Sequence, residues 1–361
     1  MINNSQIKQI FKYTPEQLGY GGCKSAWSHD GNLVAICGDN KIIRIMDRQG
    51  KPVLEFPSNQ TPRIDDLAWD KDNDSLAILT ATHVISIWSM GQRKFQDIEL
   101  ASNKDVASYI SWSKTHPVLS IGTEKGSLTF FNRKSQRKIP CISKHGKKIT
   151  HGDWSVEGHL ITCSTDKMLT VSNHQGDTPH DSFIVKGEPS NIKWAPGCTE
   201  TNKYLCCIIA SAKVCWFNPM TQVHKFIEFD KSYGKLSCFE WLDDDKLFVC
   251  FQTGTCIVVS VDGNSMGQEI HAFKPHQAAI ECIQINHEMK KIAIAAQGSI
   301  KFFNIGNWVE ESSDRIDITK SSGTITQLHW TDDGSIMTIT TSGGYFLGFL
   351  TVVPQLFSAY K

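Results

Sequence analysis

One stretch of the sequence concentrates positive charge and could bind an anionic partner. Residues 132–150, NRKSQRKIPCISKHGKKIT, contain no acidic side chain and seven basic ones: Arg133, Lys134, Arg137, Lys138, Lys144, Lys147 and Lys148. Clustered Lys and Arg side chains attract the phosphates of nucleic acids and lipids, and they also pair with acidic protein surfaces. Which of these the stretch can do depends on where the fold places each charge.

A second segment imitates the start of a calcium-binding loop. In DKDNDS, Asp70, Asp72 and Asp74 alternate as the first carboxylate ligands of such a loop do. The next position holds Ser75 where the loop requires Gly, and the twelfth holds Ala81 where it requires Glu. The segment is therefore predicted to be a hairpin turn rather than a metal site.

Other arrangements that are typical of active sites are incomplete. LGYGG, at residues 18–22, precedes a predicted strand rather than a helix, so it does not suit a phosphate. HEMKK, at residues 287–291, lacks the second His of a zinc-protease helix and lies between two predicted strands. The 13 histidines do not cluster with cysteine, and no G-x-S-x-G elbow occurs. We therefore expect no catalytic, cofactor-binding or metal-binding residues, and a protein that is not an enzyme.

Bulk composition narrows the class of protein further. The 37 Lys and Arg residues balance 37 Asp and Glu residues, which argues against a general nucleic-acid binder. The 12 cysteines include no C-x-x-C pair and several lie in apolar runs, which indicates reduced cysteines in a reducing compartment. The N-terminus, MINNSQIKQIFKY, has no apolar core, and the longest apolar runs fall short of the roughly 20 residues of a membrane span. We expect a soluble, intracellular protein without a signal peptide or direct membrane insertion.

The strongest signal in the chain is a repeated unit. In each unit an alternating strand ends in a bulky residue, a polar turn follows, and two more strands come next. The marker residues are spaced by 40 to 47 positions: Trp27, Trp69, Trp112, Trp154, Trp194, Trp241, Ile285 and Trp330. Such a period with several strands per unit is typical of WD-type β-propellers. The tryptophans are predicted to pack in the core between neighbouring blades rather than to form a ligand cage.

A more polar fourth strand follows the third in seven of the eight units. These outer strands are PVLEF, KFQDIEL, RKIPCIS, SFIVKG, HKFIEF, QEIHAF and RIDITK. The missing eighth is predicted to be IKQIFKY, Ile7 to Tyr13, which would pair with the last unit and close the propeller. We therefore predict an all-β, WD40-type propeller with eight blades over residues 1–361. A seven-bladed alternative would leave out Gly323 to Leu350.

Two sets of polar residues have structural interpretations. His145 and Asp166 occupy positions that WD repeats use for a hydrogen bond across the blade, so we expect that bond rather than catalysis. Acidic residues also follow the marker tryptophans: Asp30, Asp72, Asp74, Asp243, Asp244, Asp245, Asp332 and Asp333. Asp favours tight turns because its side chain bonds nearby backbone groups. The alternative is an acidic ring on one face of the propeller.

Several short segments resemble one family. They are QRKIP followed by KHGKKIT, DKMLTVSNHQGDT at residues 166–178, EPSNI at 188–192, MGQEI at 266–270 and WTDDG at 330–334. In this order and spacing they are similar to the N-terminal propeller of the 144-kilodalton WD-repeat subunit of intraflagellar transport complex A. The resemblance extends from about Trp27 to Trp330.

The resemblance implies a function that composition and periodicity do not reach. The family is non-enzymatic, and its members continue into a second propeller and helical repeats that are not part of this chain. They belong to a complex that serves retrograde transport in cilia and helps membrane receptors enter. The implied partners are the other subunits of that complex and, indirectly, a tubby-like cargo adaptor and the dynein motor train. The implied location is the cilium or flagellum, the ciliary base and the cytoplasm.

The repeat pattern also divides the basic stretch. KIPCIS is the outer strand of the third blade, about 20 Å long at roughly 3.3 Å per residue. It separates Arg133, Lys134, Arg137 and Lys138 from Lys144, Lys147 and Lys148, which weakens a single nucleic-acid or membrane site. Solvated loops remain one interpretation. The other is protein docking, with these candidate residues: Arg133, Lys134, Arg137, Lys138, Lys147 and Lys148.

Two further functions stay open at this point. A WD scaffold of a vesicle-coat-type complex that reads short peptides would have the same repeats. A phosphoinositide- or nucleic-acid-binding propeller would use the basic stretch, and its binding would weaken with salt.

Overall fold

The fold is all-β and repeats one four-stranded sheet. The structure, a computed structural model, describes residues 7–58, 63–141, 144–198, 204–311, 314–319 and 322–352. These ranges contain 32 strands, a four-residue helix at Pro15–Leu18 and a turn of 3-10 helix at Lys231–Tyr233. The strands form eight antiparallel sheets of four strands each. The predicted eight-bladed β-propeller is confirmed, and the seven-bladed alternative is wrong.

The blades are numbered 1 to 8 in the chain order of their marker residues, from Trp27 in blade 1 to Trp330 in blade 8. They fall into two compact units. One unit holds blades 7, 8 and 1. Blade 7 consists of β26 (Cys282–Asn286), β27 (Lys291–Ala296), β28 (Ser299–Asn304) and β29 (Ile316–Asp317). Blade 8 consists of β30 (Ile325–Trp330), β31 (Ile336–Thr341), β32 (Phe346–Leu350) and the N-terminal strand β1 (Lys8–Tyr13). Blade 1 consists of β2 (Lys24–Trp27), β3 (Leu33–Cys37), β4 (Ile42–Asp47) and β5 (Pro52–Pro57).

The other unit holds blades 2 to 6. Blade 2 consists of β6 (Ile64–Trp69), β7 (Ser75–Thr80), β8 (Val84–Ser89) and β9 (Lys94–Glu99). Blade 3 consists of β10 (Ala107–Trp112), β11 (Val118–Thr123), β12 (Leu128–Asn132) and β13 (Arg137–Cys141). Blade 4 consists of β14 (Ile149–Trp154), β15 (His159–Ser164), β16 (Met168–Asn173) and β17 (Phe183–Ile184).

Blade 5 consists of β18 (Pro189–Trp194), β19 (Leu205–Ile209), β20 (Lys213–Asn218) and β21 (Val223–Glu228). Blade 6 consists of β22 (Leu236–Asp243), β23 (Lys246–Phe251), β24 (Cys256–Ser260) and β25 (Glu269–Phe273). No helix in the part of the chain that the structure describes is both long and apolar enough to cross a membrane.

Burial follows the position of each strand within its blade. The second strands β11 and β19 are buried at every residue, because their two faces are covered by neighbouring blades of the same unit. The outer strands β9 and β21 consist of exposed and partly buried residues with one buried residue each, Ile98 and Ile227. This difference explains why the second strands read as continuous apolar runs and the outer strands as polar ones.

The marker tryptophans link successive blades of the five-blade unit. The indole Nε1 of Trp112 donates to the carbonyl oxygen of Ala68 at 3.1 Å, and that of Trp154 to Ser111 at 3.3 Å. The same bond recurs from Trp194 to Asp153 at 3.0 Å and from Trp241 to Lys193 at 3.4 Å. Each acceptor is the residue just before the preceding marker tryptophan. The prediction that these rings pack between blades is confirmed.

The N-terminal strand completes blade 8, as predicted. β1 pairs antiparallel with β32, from Lys8 opposite Leu350 to Tyr13 opposite Phe346. The Phe11 ring lies over the Phe346 ring, with centroids 5.5 Å apart, and it fills the space beside Gly348. The Tyr13 hydroxyl donates to the carbonyl oxygen of Gly50 at 2.9 Å. The strand is thus held by side chains as well as by the sheet.

Replacing Gly348 with Ala should destabilise the chain, because the added Cβ would overlap the Phe11 ring. Overpacking of this kind costs about 1–3 kcal/mol. Thermal unfolding measures the effect. Gly22→Ala is the matched control, since a Cβ there meets no atom within 4 Å. Equal unfolding midpoints for the two variants would contradict the packing of β1 on β32.

Candidate functional site

The two halves of the basic stretch lie at opposite ends of β13. Arg133 and Lys134 lie in the turn between β12 and β13, and Arg137 pairs with Asn132 where β13 begins. Lys147 and the other lysines of the second half follow the far end of β13, before β14. The seven charges therefore do not form one surface. Each half must be considered by its own contacts.

Arg133 is a structural residue of the joint between blades 2 and 3. Its guanidinium is 2.6 Å from an Asp74 carboxylate oxygen, 2.7 Å from Asp72 and 3.0 Å from Asp70. Its side chain is 17% exposed. The turn that imitates a calcium loop is thus a hairpin turn, as predicted, and it holds the guanidinium of the next blade. This charge is already used within the fold, so it is a poor candidate for docking.

Burial and charge act oppositely on the carboxyls around Arg133. Burial raises the pKa of Asp70, against the opposing effects of the Ser75 backbone N–H and of Arg133. A hydrogen bond from Lys71, together with the charge of Arg133, lowers the pKa of the more exposed Asp72. Asp70 also caps the turn, because its Oδ1 accepts the N–H groups of Asp74 and Ser75. The cluster therefore fixes both the hairpin and the joint.

The remaining basic residues of the stretch have different surroundings. Lys144 is buried, with 8% of its surface exposed, and Lys148 forms an ion pair with Glu124 at 2.8 Å. The Lys138 ammonium donates to the carbonyl oxygen of Glu99 in blade 2 at 3.1 Å. Lys134, Arg137 and Lys147 are exposed, and none of them forms an ion pair with a described residue. The charges of these three residues are available to a partner, and so is that of Lys138, because its carbonyl acceptor is neutral.

A groove opens beside this first half of the stretch, between the outer parts of blades 2 and 3. Its volume is about 700 Å³. One wall is the β8–β9 hairpin of blade 2, and the other is the 133–136 turn of blade 3. The side chains that line it are those of Asp74, Ser75, Ile87, Ser89, Gln92, Lys94, Phe95, Gln96, Arg133, Lys134 and Gln136. The Gln96 and Gln136 amides hydrogen-bond to each other across the joint.

His145 and Asp166 form the predicted bond across blade 4. The imidazole Nδ1 is 3.2 Å from an Asp166 oxygen, and Nε2 is 3.0 Å from the Thr162 hydroxyl. The His145 side chain is fully buried. Burial lowers the pKa of His145, although the Asp166 carboxylate opposes this. Both ring nitrogens are engaged and inaccessible, so the arrangement supports the blade rather than a reaction.

The acidic turn residues are mostly engaged in local contacts. Asp333 pairs with Arg48 of blade 1, and Asp243 pairs with Lys246 at 2.7 Å. An Asp244 oxygen accepts the Gly197 N–H at 2.6 Å. These contacts favour turn chemistry over a free acidic ring.

Arg48 and Arg133 share a position that sequence reasoning missed. Each follows the last residue of a third strand and reaches the first hairpin of the preceding blade. His174 occupies the same position in blade 4 and stacks on His116 of blade 3, with ring centroids 3.9 Å apart. The available signal was a basic residue just after the third strand combined with an acidic turn one repeat earlier.

The twelve cysteines are all free thiols, and ten of them are buried. Burial raises the pKa of several thiols, to about 12 for Cys37 and Cys163. Among the described residues, no group of three or more His, Cys, Asp or Glu side chains is placed to hold a metal ion.

The sequence is similar over nearly its whole length to one family of known proteins. The family model described as "WDR19 first beta-propeller" matches residues 23–344. WD repeat-containing protein 19 is 28% identical over 360 residues in Homo sapiens and 29% identical over 362 residues in Mus musculus. WD repeat-containing protein dyf-2 of Caenorhabditis elegans is 24% identical over 376 residues. These alignments cover 97–98% of this chain but 26% of each relative, so the chain spans about a quarter of their length.

Two solved structures share the fold at low sequence identity. The computationally designed Ika8 protein matches with a TM-score of 0.75 and 14% identity, covering 92% of this chain and 98% of its own. Saccharomyces cerevisiae Sqt1 matches with a TM-score of 0.75 and 10% identity, covering 93% and 97%. At these identities the similarity concerns the fold alone.

Arg133→Gln should lower the free energy of unfolding by about 2–3 kcal/mol, because it leaves Asp70 and Asp74 without a cation and Asp72 with Lys71 alone. Urea-induced unfolding measures this. The exposed Arg137→Gln, four residues along, should change the free energy by less than about 0.5 kcal/mol. Equal free energies of unfolding for Arg133→Gln and Arg137→Gln would show that the contact between blades 2 and 3 does not depend on Arg133.

The Asp333 carboxyl should make stability depend on acid pH. Partial burial raises its pKa, but hydrogen bonds from Thr331, the Ser335 N–H and Arg48 outweigh this and hold it at about 2. Since the folded pKa lies below the ordinary value of 3.8, the stabilisation is complete above that value and is lost as the pH falls towards 2.

Asp333→Asn should therefore lose less of its stability than the original chain between about pH 4 and pH 2. Thermal midpoints across this range test the prediction, with Arg48→Gln expected to change the slope in the same direction. An unchanged acid slope in Asp333→Asn would contradict the assignment.

Proposed function

The chain belongs to the WDR19 first β-propeller family, and from that premise we propose that it is a scaffold and docking propeller of intraflagellar transport complex A. The observation that carries the proposal is the family match over residues 23–344, which includes all eight marker residues. The proposed role is non-enzymatic: the chain holds other subunits of the complex through its surface.

The finer parts of the proposal follow from the family resemblance. The complex would act in retrograde transport in cilia and in the entry of membrane cargo. Its other subunits would bind directly, whereas a tubby-like adaptor and the dynein motor train would be reached indirectly. The location would be the cilium and its base, with a cytoplasmic pool. We propose residues 1–361 as one propeller domain of a longer protein whose further parts are a second propeller and helical repeats.

The distribution of charge supports docking through protein surfaces rather than through nucleic acid. The chain has equal numbers of basic and acidic residues, so it lacks a general basic excess. The basic stretch is divided between the two ends of β13, and Arg133, Lys138 and Lys148 are engaged within the fold. What remains is a few exposed charges at defined places, which suits contacts with particular protein partners.

Affinity purification from ciliated cells tests this function. The tagged chain should recover other subunits of intraflagellar transport complex A and should be found at the ciliary base. Tagged Sqt1 is a suitable control, because it shares the fold at 10% identity and should recover none of them. Recovery of vesicle-coat subunits instead would support the alternative scaffold. Recovery of no transport subunit would refute the proposal.

A further inference from the structure

The groove between blades 2 and 3 has more positive charge than the fold itself uses. Lys94 lines one wall and Lys134 the other, and Arg93 and Arg137 lie close to them in the sequence. All four are exposed, and none forms an ion pair with any residue that the structure describes. Lys138 adds a fifth charge where it crosses to the carbonyl oxygen of Glu99.

The acidic residues near the groove do not cancel this charge. Asp74 lines the groove, but its carboxylate is held by Arg133 at 2.6 Å. Asp72 is held by Arg133 and by Lys71, each at 2.7 Å. Asp97 and Glu99 are two acidic residues farther along β9, and the side chain that donates to Asp97, at 2.7 Å, is the neutral Ser86 hydroxyl. These two acids are outnumbered by the exposed Arg93, Lys94, Lys134 and Arg137. The charge left over at the mouth of the groove is therefore positive, and it calls for an acidic occupant.

The walls of the groove suit a peptide. Phe95 supplies apolar surface above the buried Ile87, and Ser89 and Gln92 supply a hydroxyl and an amide, whereas Gln96 and Gln136 already bond to each other. Side-chain amides both donate and accept, so they can pair with the main chain of an extended segment. The volume of about 700 Å³ lies within the roughly 300–1,000 Å³ typical of ligand pockets, which is room for a few residues.

We propose that this groove docks an acidic, extended segment of a partner protein. Carboxylates of the segment pair with Lys94 and Lys134, and an apolar side chain between them packs on Phe95. The two lysines lie on opposite walls, so the segment bridges blades 2 and 3. The inference deepens the docking role proposed above and rests on it for the occupant being a protein.

A peptide-binding measurement tests the groove. The probe is a fluorescein-labelled decapeptide of alternating Glu and Leu, and fluorescence anisotropy reports binding to the chain at about 0.05 M and 0.3 M salt. Binding should weaken at the higher salt, because the Debye length shortens. Lys94→Glu with Lys134→Glu should reduce the affinity by about tenfold or more, since two attractions become repulsions.

The matched control changes the same number of charges at the other end of blade 3. Lys125→Glu with Lys147→Glu alters two exposed lysines there and should change the affinity by less than about twofold. Thermal unfolding should give similar midpoints for both double variants, because all four lysines are exposed. Equal binding by the original chain and Lys94→Glu/Lys134→Glu would overturn the proposal, as would equal weakening by both pairs.

Two further arms separate other occupants and locate the site. A decapeptide that carries an amine-reactive ester should label Lys94 or Lys134, and labelling elsewhere alone would overturn the assignment. Vesicles containing a phosphoinositide should not bind. If they bind through these lysines and the decapeptide does not, the groove is a lipid site and the proposal fails.

The cell experiment distinguishes this inference from the proposed function. If Lys94→Glu/Lys134→Glu recovers every transport subunit and the decapeptide does not bind the original chain, only the groove is refuted. If the original chain recovers no transport subunit, the scaffold function fails whatever the decapeptide does.

Discussion

The repeated indole hydrogen bond between blades is the constraint on which the five-blade unit depends. Trp112, Trp154, Trp194 and Trp241 each donate to the carbonyl oxygen just before the preceding marker tryptophan. Except at Trp154, whose N–H also donates to the Ser120 hydroxyl, an indole N–H that lost this acceptor would lose its hydrogen bond, which is costly in a buried position. The bond therefore fixes the offset of each blade against the last, while the ring fills the space between them. Packing of the rings alone is less directional than a hydrogen bond and would define the offset between neighbouring blades less sharply.

A second contact between blades lies farther out and uses charge instead of packing. The residue after the third strand reaches the first hairpin of the preceding blade, as Arg133 does with Asp70, Asp72 and Asp74. The net stabilisation from partly buried ion pairs of this kind is small. Removing one partner is nevertheless costly, because the other charges are then left partly buried without a counter-charge. This explains why an acidic turn that resembles a calcium loop is filled by a guanidinium from its own chain.

The repeat pattern predicted the architecture because its signal is local. A Trp near the end of a strand and a turn after it recur in seven of the eight units, with Ile285 in the other, so the spacing of the markers was enough to count eight blades and to place β1 in the last one. The partners of Arg133 were not predictable in this way, because Asp72 lies in the previous repeat and no sequence feature near Arg133 indicates that the two residues pair. The groove was even harder to predict from the sequence, because β9 and the 133–136 turn form it only when blades 2 and 3 pack together.

The basic stretch shows how the fold gives one residue type several roles. Its seven cations look equivalent in the sequence, yet Arg133 is enclosed by carboxylates and Lys144 is buried. Lys148 pairs with Glu124, whereas Lys134, Arg137, Lys138 and Lys147 are exposed and form no ion pair with a described residue; Lys138 donates to a backbone carbonyl instead. The number of basic residues in the stretch is therefore larger than the number of charges that a partner can bind. The charge left after the blades have satisfied one another is what a partner can bind, and Lys94 and Lys134, which both line the groove, are part of that remainder.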